Sequence, residues 1–94
     1  MLFAIHMIDR PGGADLRASL TDEHLAFVGP QLDTMLVGGP LLADDGDTVI
    51  GSLIVKEFPD RAAAQEWISH EPYTKGGLFE SVTIRAFRAV AGPA

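Results

Sequence analysis

A carboxylate in the second half of the chain falls on an apolar pattern, where acid–base chemistry is possible. Glu71 follows Ala64 by seven residues and Trp67 by four, so a helix through this segment carries Glu71 onto the apolar stripe. A carboxylate on that stripe is costly to bury unless it is hydrogen-bonded or paired. The alternative is that the helix ends before Glu71, whose side chain then points to water or only caps neighbouring amides. Without further information the alternative is the more common situation.

A histidine in the first half borders a similar pattern. His24 precedes Phe27 and Val28 by three and four residues, which places it beside the buried side of its helix. Imidazole titrates near neutral pH and suits proton transfer, although a lone histidine beside an apolar face is more often a structural group. If the two helices pack side by side, the Glu71 carboxylate fixes the tautomer of the His24 imidazole and raises its basicity. The predicted catalytic residues are therefore His24 and Glu71.

Four further residues are candidates for contacts with a small ligand: Ser52, Tyr73, Gly39 and Pro40. Ser52 lies on a predicted strand and binds a ligand only if its face of the strand lines a pocket; otherwise it faces water or a backbone partner. Tyr73 follows a Glu-Pro turn and either lines a pocket entrance or packs over the second helix. The glycines at 38–39 either let the backbone approach a ligand closely or mark an ordinary bulge or turn.

The remaining polar residues form no pattern for a metal or a cofactor, and neither is predicted. The three histidines lack the spacing of metal ligands, and there is no phosphate-binding glycine motif or nucleophile elbow. The acidic segment 44–47 lacks the full calcium-loop pattern and is predicted to be a hairpin loop. His6 shares a strand face with apolar residues and is predicted to be buried or interfacial, whereas His70 is predicted to be solvated.

The helices that must carry the candidate pair follow from apolar spacing and from capping signals. The first is predicted to begin with Thr21 as its cap and to kink or stop at Pro30. The second is predicted to begin after Asp60 and to end near Glu71, because Pro72 disfavours helical backbone in the residue before it. Its apolar stripe comprises Ala63, Ala64, Trp67 and Ile68.

Strands are predicted over residues 2–8, 34–42, 48–58 and 81–90, with a bulge or a sheet edge at the glycines of the second. The order βαββαβ predicts an α+β ferredoxin-like sandwich, in which a four-stranded antiparallel sheet carries both helices on one face. Strand 48–58 is apolar on both faces, so one apolar face would stay uncovered in a monomer. We therefore expect a homodimer in which two sheets form a shared α/β barrel.

Composition limits the partners and the location. The 94 residues include 13 acidic and 7 basic side chains, a formal charge of −6, which argues against a nucleic acid or an anionic membrane as partner. The absence of cysteine excludes a disulfide framework and thiolate catalysis. No apolar run reaches the roughly 20 residues that span a bilayer, and the N-terminal run is too short for a signal peptide. A cytoplasmic protein is predicted.

Several short motifs, in their order and spacing, resemble those of the YciI-like (YCII-related) proteins over nearly the whole chain. They are His24-Leu25, Gly39-Pro40, Gly51-Ser52, Glu57-Phe58, the helix with Ala63-Ala64 and Trp67, Pro72-Tyr73, Gly77 and a last strand ending at Phe87. The resemblance implies that residues 1–94 form one ferredoxin-like domain of a dimeric α/β barrel, related to muconolactone isomerase and to small monooxygenase-type folds. It also implies an enzyme with a histidine and an aspartate in its pocket, similar to a dehydrochlorinase.

His24 matches the histidine of that family, whereas the aspartate position, before the Pro-aromatic pair, holds Glu71. The longer side chain keeps the charge but shifts it by about a bond length. Pro30 inside the first helix is a second departure, which would move the pocket wall.

Three functions remain open. The first is a cofactor-independent lyase or isomerase, dehydrochlorinase-like, that acts on a small organic molecule; His24 shuttles the proton and Glu71 orients the imidazole. The second is a non-catalytic module that binds a small ligand. The third is a structural dimer that assists another enzyme.

Overall fold

The molecule is built on a four-stranded antiparallel sheet with its helices on one face, as described by a computed structural model for residues 1–92. The strands are β1 (Leu2–Asp9), β2 (Met35–Leu42), β3 (Val49–Glu57) and β4 (Phe79–Phe87), in the sheet order β2-β3-β1-β4. The helices are α1 (Ala14–Val28), α2 (Arg61–Ser69) and the single turn α3 (Pro72–Lys75), with a 3₁₀ segment at Gly29–Thr34. The predicted ferredoxin-like α+β fold is confirmed.

The core lies between the sheet and the helices. In the central strand β1, Ile5 pairs with Ile54 on one side and with Ile84 on the other, so three branched side chains form a row under the helices. The buried cluster comprises Phe3, Ile5, Met7, Ile54, Phe58, Ala64, Ile68 and Ile84. The apolar stripe predicted for the second helix is confirmed, because Ala64 and Ile68 are buried and Ala63 and Trp67 pack against this cluster.

The first helix begins two turns earlier than predicted, at Ala14, and Thr21 lies inside it. The turn before Ala14 ends with Gly12 in the left-handed region (φ 73°), and the chain becomes helical as soon as that turn is complete. Thr21 mimics a cap in the sequence, but its hydroxyl donates to the carbonyl oxygen of Arg17, 2.8 Å away and one turn earlier. The helix stops before Pro30 as expected, and the chain continues as the 3₁₀ segment.

The second helix begins as predicted, because the Asp60 carboxylate accepts a hydrogen bond from the amide of Ala63 at 2.9 Å. It ends at Ser69, and the extra turn α3 that follows was not predicted. Pro72 starts that turn, since proline is well suited to the first helical position, where its missing amide hydrogen is not needed.

The second strand is an edge strand, as predicted, and its register shifts at both ends. The loop that follows is the predicted hairpin loop between β2 and β3. Hydrogen bonds from the Thr48 hydroxyl and amide, and from the Asp47 amide, lower the pKa of the Asp45 carboxyl to about 2. The last strand begins at Phe79, two residues earlier than predicted, and ends at Phe87, three residues earlier than predicted.

The sheet face away from the helices is uncovered in the single chain. His6 lies on this face opposite Leu53 and Thr83 and is exposed, so its predicted burial within the chain is wrong and only an interfacial position remains open. The physical reason is that both helices pack on the opposite face, where the odd-numbered residues of β1 point. The predicted domain of residues 1–94 extends two residues beyond the described ones. No helix within residues 1–92 has the length and apolarity needed to cross a bilayer.

Candidate active site

The structure brings the two predicted catalytic residues into direct contact. Nδ1 of His24 lies 2.6 Å from Oε1 of Glu71, and the second carboxylate oxygen accepts the Thr74 amide at 3.2 Å. The Glu71 side chain is only 1% exposed, whereas that of His24 is 19% exposed. Because a carboxylate only accepts hydrogen bonds, Nδ1 of the neutral imidazole carries the hydrogen and Nε2 carries the lone pair.

Glu71 reaches this position by a different route from the one predicted. Helix α2 ends at Ser69, so Glu71 does not continue its apolar stripe. Instead, Glu71 has extended backbone (φ −67°, ψ 132°) and is the N-cap of α3, whose first residue is Pro72. The helix therefore ends early, as in the alternative interpretation, but the carboxylate turns inward and not toward water. It caps an amide and binds the imidazole at the same time.

Tyr73 packs against the face of the imidazole ring and fixes its plane. Its ring is stacked on that of His24, with centroids 4.3 Å apart and planes 16° apart, and the residue is 3% exposed. Its hydroxyl lies 3.1 Å from the Thr21 hydroxyl, which already donates its hydrogen to a backbone carbonyl. The tyrosine is therefore the donor to Thr21, and its hydroxyl is used inside the protein.

A second ion pair, between the largely buried side chains of Arg17 and Asp9, also lies beside the tyrosine ring. Nε and Nη2 of Arg17 each lie 2.8 Å from an oxygen of Asp9, and Nη2 also donates to the Ser52 hydroxyl at 3.1 Å. The Arg17 guanidinium carbon lies 4.6 Å from the Tyr73 ring centroid. Burial on its own lowers the pKa of Arg17, but the hydrogen bond and charge of Asp9, with a smaller effect of Tyr73, outweigh it and raise that pKa.

Sequence reasoning missed Arg17, Asp9 and the contact made by Thr21. One signal was present in the first helix, where residues 17, 21 and 24 are polar at helical spacing and therefore share a face. No signal marked Asp9, because an acidic residue at the end of a strand is usually solvated.

A cavity of about 430 Å³ opens beside these groups, a volume within the range of small-molecule sites. His24 and all four predicted ligand-binding residues, Ser52, Tyr73, Gly39 and Pro40, line it, as do Arg17 and Thr21. Glu71 lies behind the imidazole and not on the wall. The apolar part of the wall comprises Leu25, Val28, Leu32, Met35, Val49 and Ile54. Within residues 1–92 no group of three or more His, Cys, Asp or Glu side chains is arranged to hold a metal ion.

The arrangement defines a class of protein: a ferredoxin-like α+β domain with a carboxylate-backed histidine on the wall of a cavity of small-molecule size. The chain belongs to the family of the YCII-related domain, whose model matches residues 1–88. The resemblance seen in the sequence is thereby confirmed.

Two relatives cover nearly the whole chain. Protein YciI of Escherichia coli O6:H1 is 31% identical over 97 residues, which cover 96% of this chain and 99% of the relative. The structure of 5-chloro-2-hydroxyhydroquinone dehydrochlorinase (TftG) from Burkholderia phenoliruptrix AC1100, in complex with 2,5-dihydroxybenzoquinone, is 29% identical with a TM-score of 0.86 and covers 94% of both chains. An antibiotic biosynthesis monooxygenase is 20% identical with a TM-score of 0.56 over 97% of this chain and 100% of the other, which shows a shared fold.

Proposed function

We propose that this protein is an enzyme that moves a proton on a small organic molecule, as a lyase or an isomerase. The observation that carries the proposal is the 2.6 Å contact between the buried Glu71 carboxylate and Nδ1 of His24 at the wall of a cavity. Nε2 of His24 accepts the proton from the bound molecule and returns it to the product. Glu71 keeps the imidazole in the required tautomer and stabilises the imidazolium that forms.

The surroundings of the pair support this role. The stacked Tyr73 ring and the two contacts of the Glu71 carboxylate hold the imidazole in one orientation, so little reorganisation accompanies proton transfer. The carboxylate is almost fully buried, which strengthens its attraction for a positive imidazolium. General acid–base catalysis of this kind contributes typically 10²- to 10⁴-fold in rate.

The similar dehydrochlorinase supports the reaction class. Loss of hydrogen chloride from an organic molecule removes a proton together with chloride. A positioned base accepts that proton. Its structure holds 2,5-dihydroxybenzoquinone, a single-ring compound. A cavity of about 430 Å³ accommodates a molecule of that size in this chain.

The proposal is tested with turnover assays on a panel of chlorinated and hydroxylated single-ring compounds that includes 5-chloro-2-hydroxyhydroquinone, the compound named for the similar enzyme. For a compound that the wild type converts, His24→Gln is expected to lower kcat by about 10²- to 10⁴-fold, since the proton acceptor is lost. Glu71→Gln is expected to lower kcat as well, because a neutral amide does not stabilise imidazolium.

The chain offers a matched control on its surface. His70 and Glu66 form the same type of contact, 2.8 Å between Nε2 and Oε1, but both side chains are exposed. His70→Gln and Glu66→Gln are expected to leave kcat unchanged. Full activity of folded His24→Gln would refute the proposal, and binding of panel compounds without any product would favour the non-catalytic module.

A further inference from the structure

Both buried carboxylates of the site lie behind a basic side chain. Asp9 binds Arg17, Glu71 binds His24, and neither acid belongs to the lining of the cavity. No other Asp or Glu within residues 1–92 lines it either. The wall therefore offers a bound molecule hydrogen-bond donors and the imidazole, and no carboxylate.

Two of those donors are not used by the protein. Nε and Nη2 of Arg17 bind Asp9 and Ser52, whereas Nη1 has no hydrogen-bond partner among the described residues and is not buried. The Ser52 hydroxyl accepts its hydrogen bond from Arg17, so its own hydrogen remains available. Both residues line the cavity together with His24.

The charges decide which form of a ligand fits. Arg17 and Asp9 cancel, so the ionised Glu71 leaves the site with one negative charge while His24 is neutral. A ligand that arrives as an anion is repelled by that charge. A ligand that arrives as an uncharged weak acid and gives its proton to His24 leaves its oxyanion beside an imidazolium and a guanidinium, each with its carboxylate behind it.

We propose that Arg17 and Ser52 form an oxyanion subsite, and that the substrate is an uncharged, weakly acidic enol or phenol. The O–H bond of the ligand breaks, its proton forms the Nε2–H bond of His24, and the electron pair stays on the oxygen. That oxygen accepts hydrogen bonds from Nη1 of Arg17 and the hydroxyl of Ser52. The subsite deepens the proposed function and rests on it in taking His24 as the proton acceptor.

The test uses 4-nitrophenol, whose absorbance distinguishes the phenol from the phenolate, and 4-nitroanisole, its O-methyl match without an acidic hydrogen. We expect the wild type to bind 4-nitrophenol at least about tenfold more tightly than 4-nitroanisole, with the bound form absorbing as phenolate. Arg17→Gln is expected to lower the affinity for 4-nitrophenol by about tenfold or more and to leave that for 4-nitroanisole unchanged. Arg88→Gln, a control on an exposed arginine that follows β4 and lies outside the cavity, is expected to change neither affinity.

Asp9→Asn separates the subsite from a purely structural ion pair. It removes the charge that neutralises Arg17, so the affinity for 4-nitrophenol is expected to be equal or higher. A structural pair predicts that Arg17→Gln and Asp9→Asn weaken both probes in parallel, and that outcome overturns the subsite. Where Arg17→Gln does not fold, the double variant with Asp9→Asn removes both members of the pair, and the same selective loss is expected.

The two proposals fail separately. If His24→Gln abolishes turnover while Arg17→Gln leaves 4-nitrophenol binding intact, the proton transfer stands and the subsite is wrong. If His24→Gln keeps full turnover while Arg17→Gln loses the phenol selectively, the base is wrong and the anion subsite stands.

Discussion

At the scale of single residues, the buried polar side chains of this chain differ in whether a partner compensates their burial. The Glu71 carboxylate has an imidazole and an amide, and the Arg17 guanidinium has a carboxylate and a hydroxyl. Lys56 is 5% exposed; its ammonium lies over the rings of Phe58 and Trp67 at 4.3 and 5.3 Å and donates a long hydrogen bond of 3.4 Å to the Glu57 carbonyl oxygen. Within residues 1–92 it has no ion pair. Burial lowers the pKa of Lys56, and the charge of Asp33 opposes this only in part.

Replacing this lysine is expected to raise stability. A lysine pKa that is lower in the folded than in the unfolded protein means that protonation favours unfolding, so the penalty is present at neutral pH. This loss of stability disappears as the pH rises from the lowered pKa of Lys56 in the folded protein to about 10.4, the ordinary pKa of lysine. Lys56→Met is expected to gain on the order of 1 kcal/mol at pH 7, since a buried charge is removed and the packing is kept.

Urea unfolding at pH 7 to 10.5 measures this effect. The wild type is expected to approach the Lys56→Met variant in stability as the pH rises, whereas Lys75→Met, at an exposed lysine, is expected to follow the wild type throughout. A Lys56→Met variant with the wild-type free energy of unfolding at every pH would show that burial of the ammonium does not destabilise the protein.

The residue scale also shows what the sequence could predict of the site. His24 could be found because it departs from a local apolar pattern. Glu71 was found by the same reasoning, although the helix on which that reasoning depended ends at Ser69. The four ligand candidates, which lie on a strand, after a turn and at the glycines of the second strand, also belong to the motifs that resemble the family: Ser52, Tyr73, Gly39 and Pro40. Arg17 and Asp9 could not be paired from the sequence. Their contact joins the end of a strand to a helix eight residues later, and the geometry of the intervening turn decides whether they meet.

At the scale of elements, capping decides where the helices begin, and it was only partly predictable. Asp60 caps α2 and Glu71 caps α3, in each case by accepting the amide three residues later. Pro59, before Asp60, helped to predict the cap of α2. The cap of α3 was not predicted, because Pro72, after Glu71, also indicates the end of a helix. The start of α1 was missed because Gly13, its N-cap, makes no side-chain hydrogen bond.

Asp60→Ala is expected to destabilise the protein by about 1 kcal/mol, because the Ala63 amide loses its acceptor at the start of α2. Thermal and urea unfolding measure the loss. Asp22→Ala, at an exposed position inside α1, removes an acidic side chain without removing a cap and is expected to stay within about 0.5 kcal/mol of the wild type. Asp60→Asn, which still caps, is expected to recover most of the stability; equal losses in Asp60→Ala and Asp60→Asn would contradict the capping role.

At the scale of the whole molecule, the sheet has two faces and the chain covers one. On the uncovered face Val37 lies in register with Val55 and is 50% exposed, and Phe87 lies opposite Leu2 and is 43% exposed. Apolar side chains on a bare sheet face usually mark a protein contact. We therefore propose that two copies pack face to face as a homodimer, as the two-sided apolar strand predicts; the strand order that the prediction required is present.

Light scattering after size exclusion measures the mass in solution, and a dimer is expected for the wild type. Val37→Lys places a charge on the apolar face, within an interface that would bury on the order of 1,600 Å², so it is expected to shift the mass to that of the monomer at micromolar concentration. Ala26→Lys, on an exposed position of α1 in the other layer, is expected to remain dimeric. Val37 lies outside the cavity lining, so ligand binding by the Val37→Lys monomer also reports whether the site functions within one chain. A monomeric wild type, or a Val37→Lys variant that stays dimeric, would mean that the apolar face is not the contact between copies.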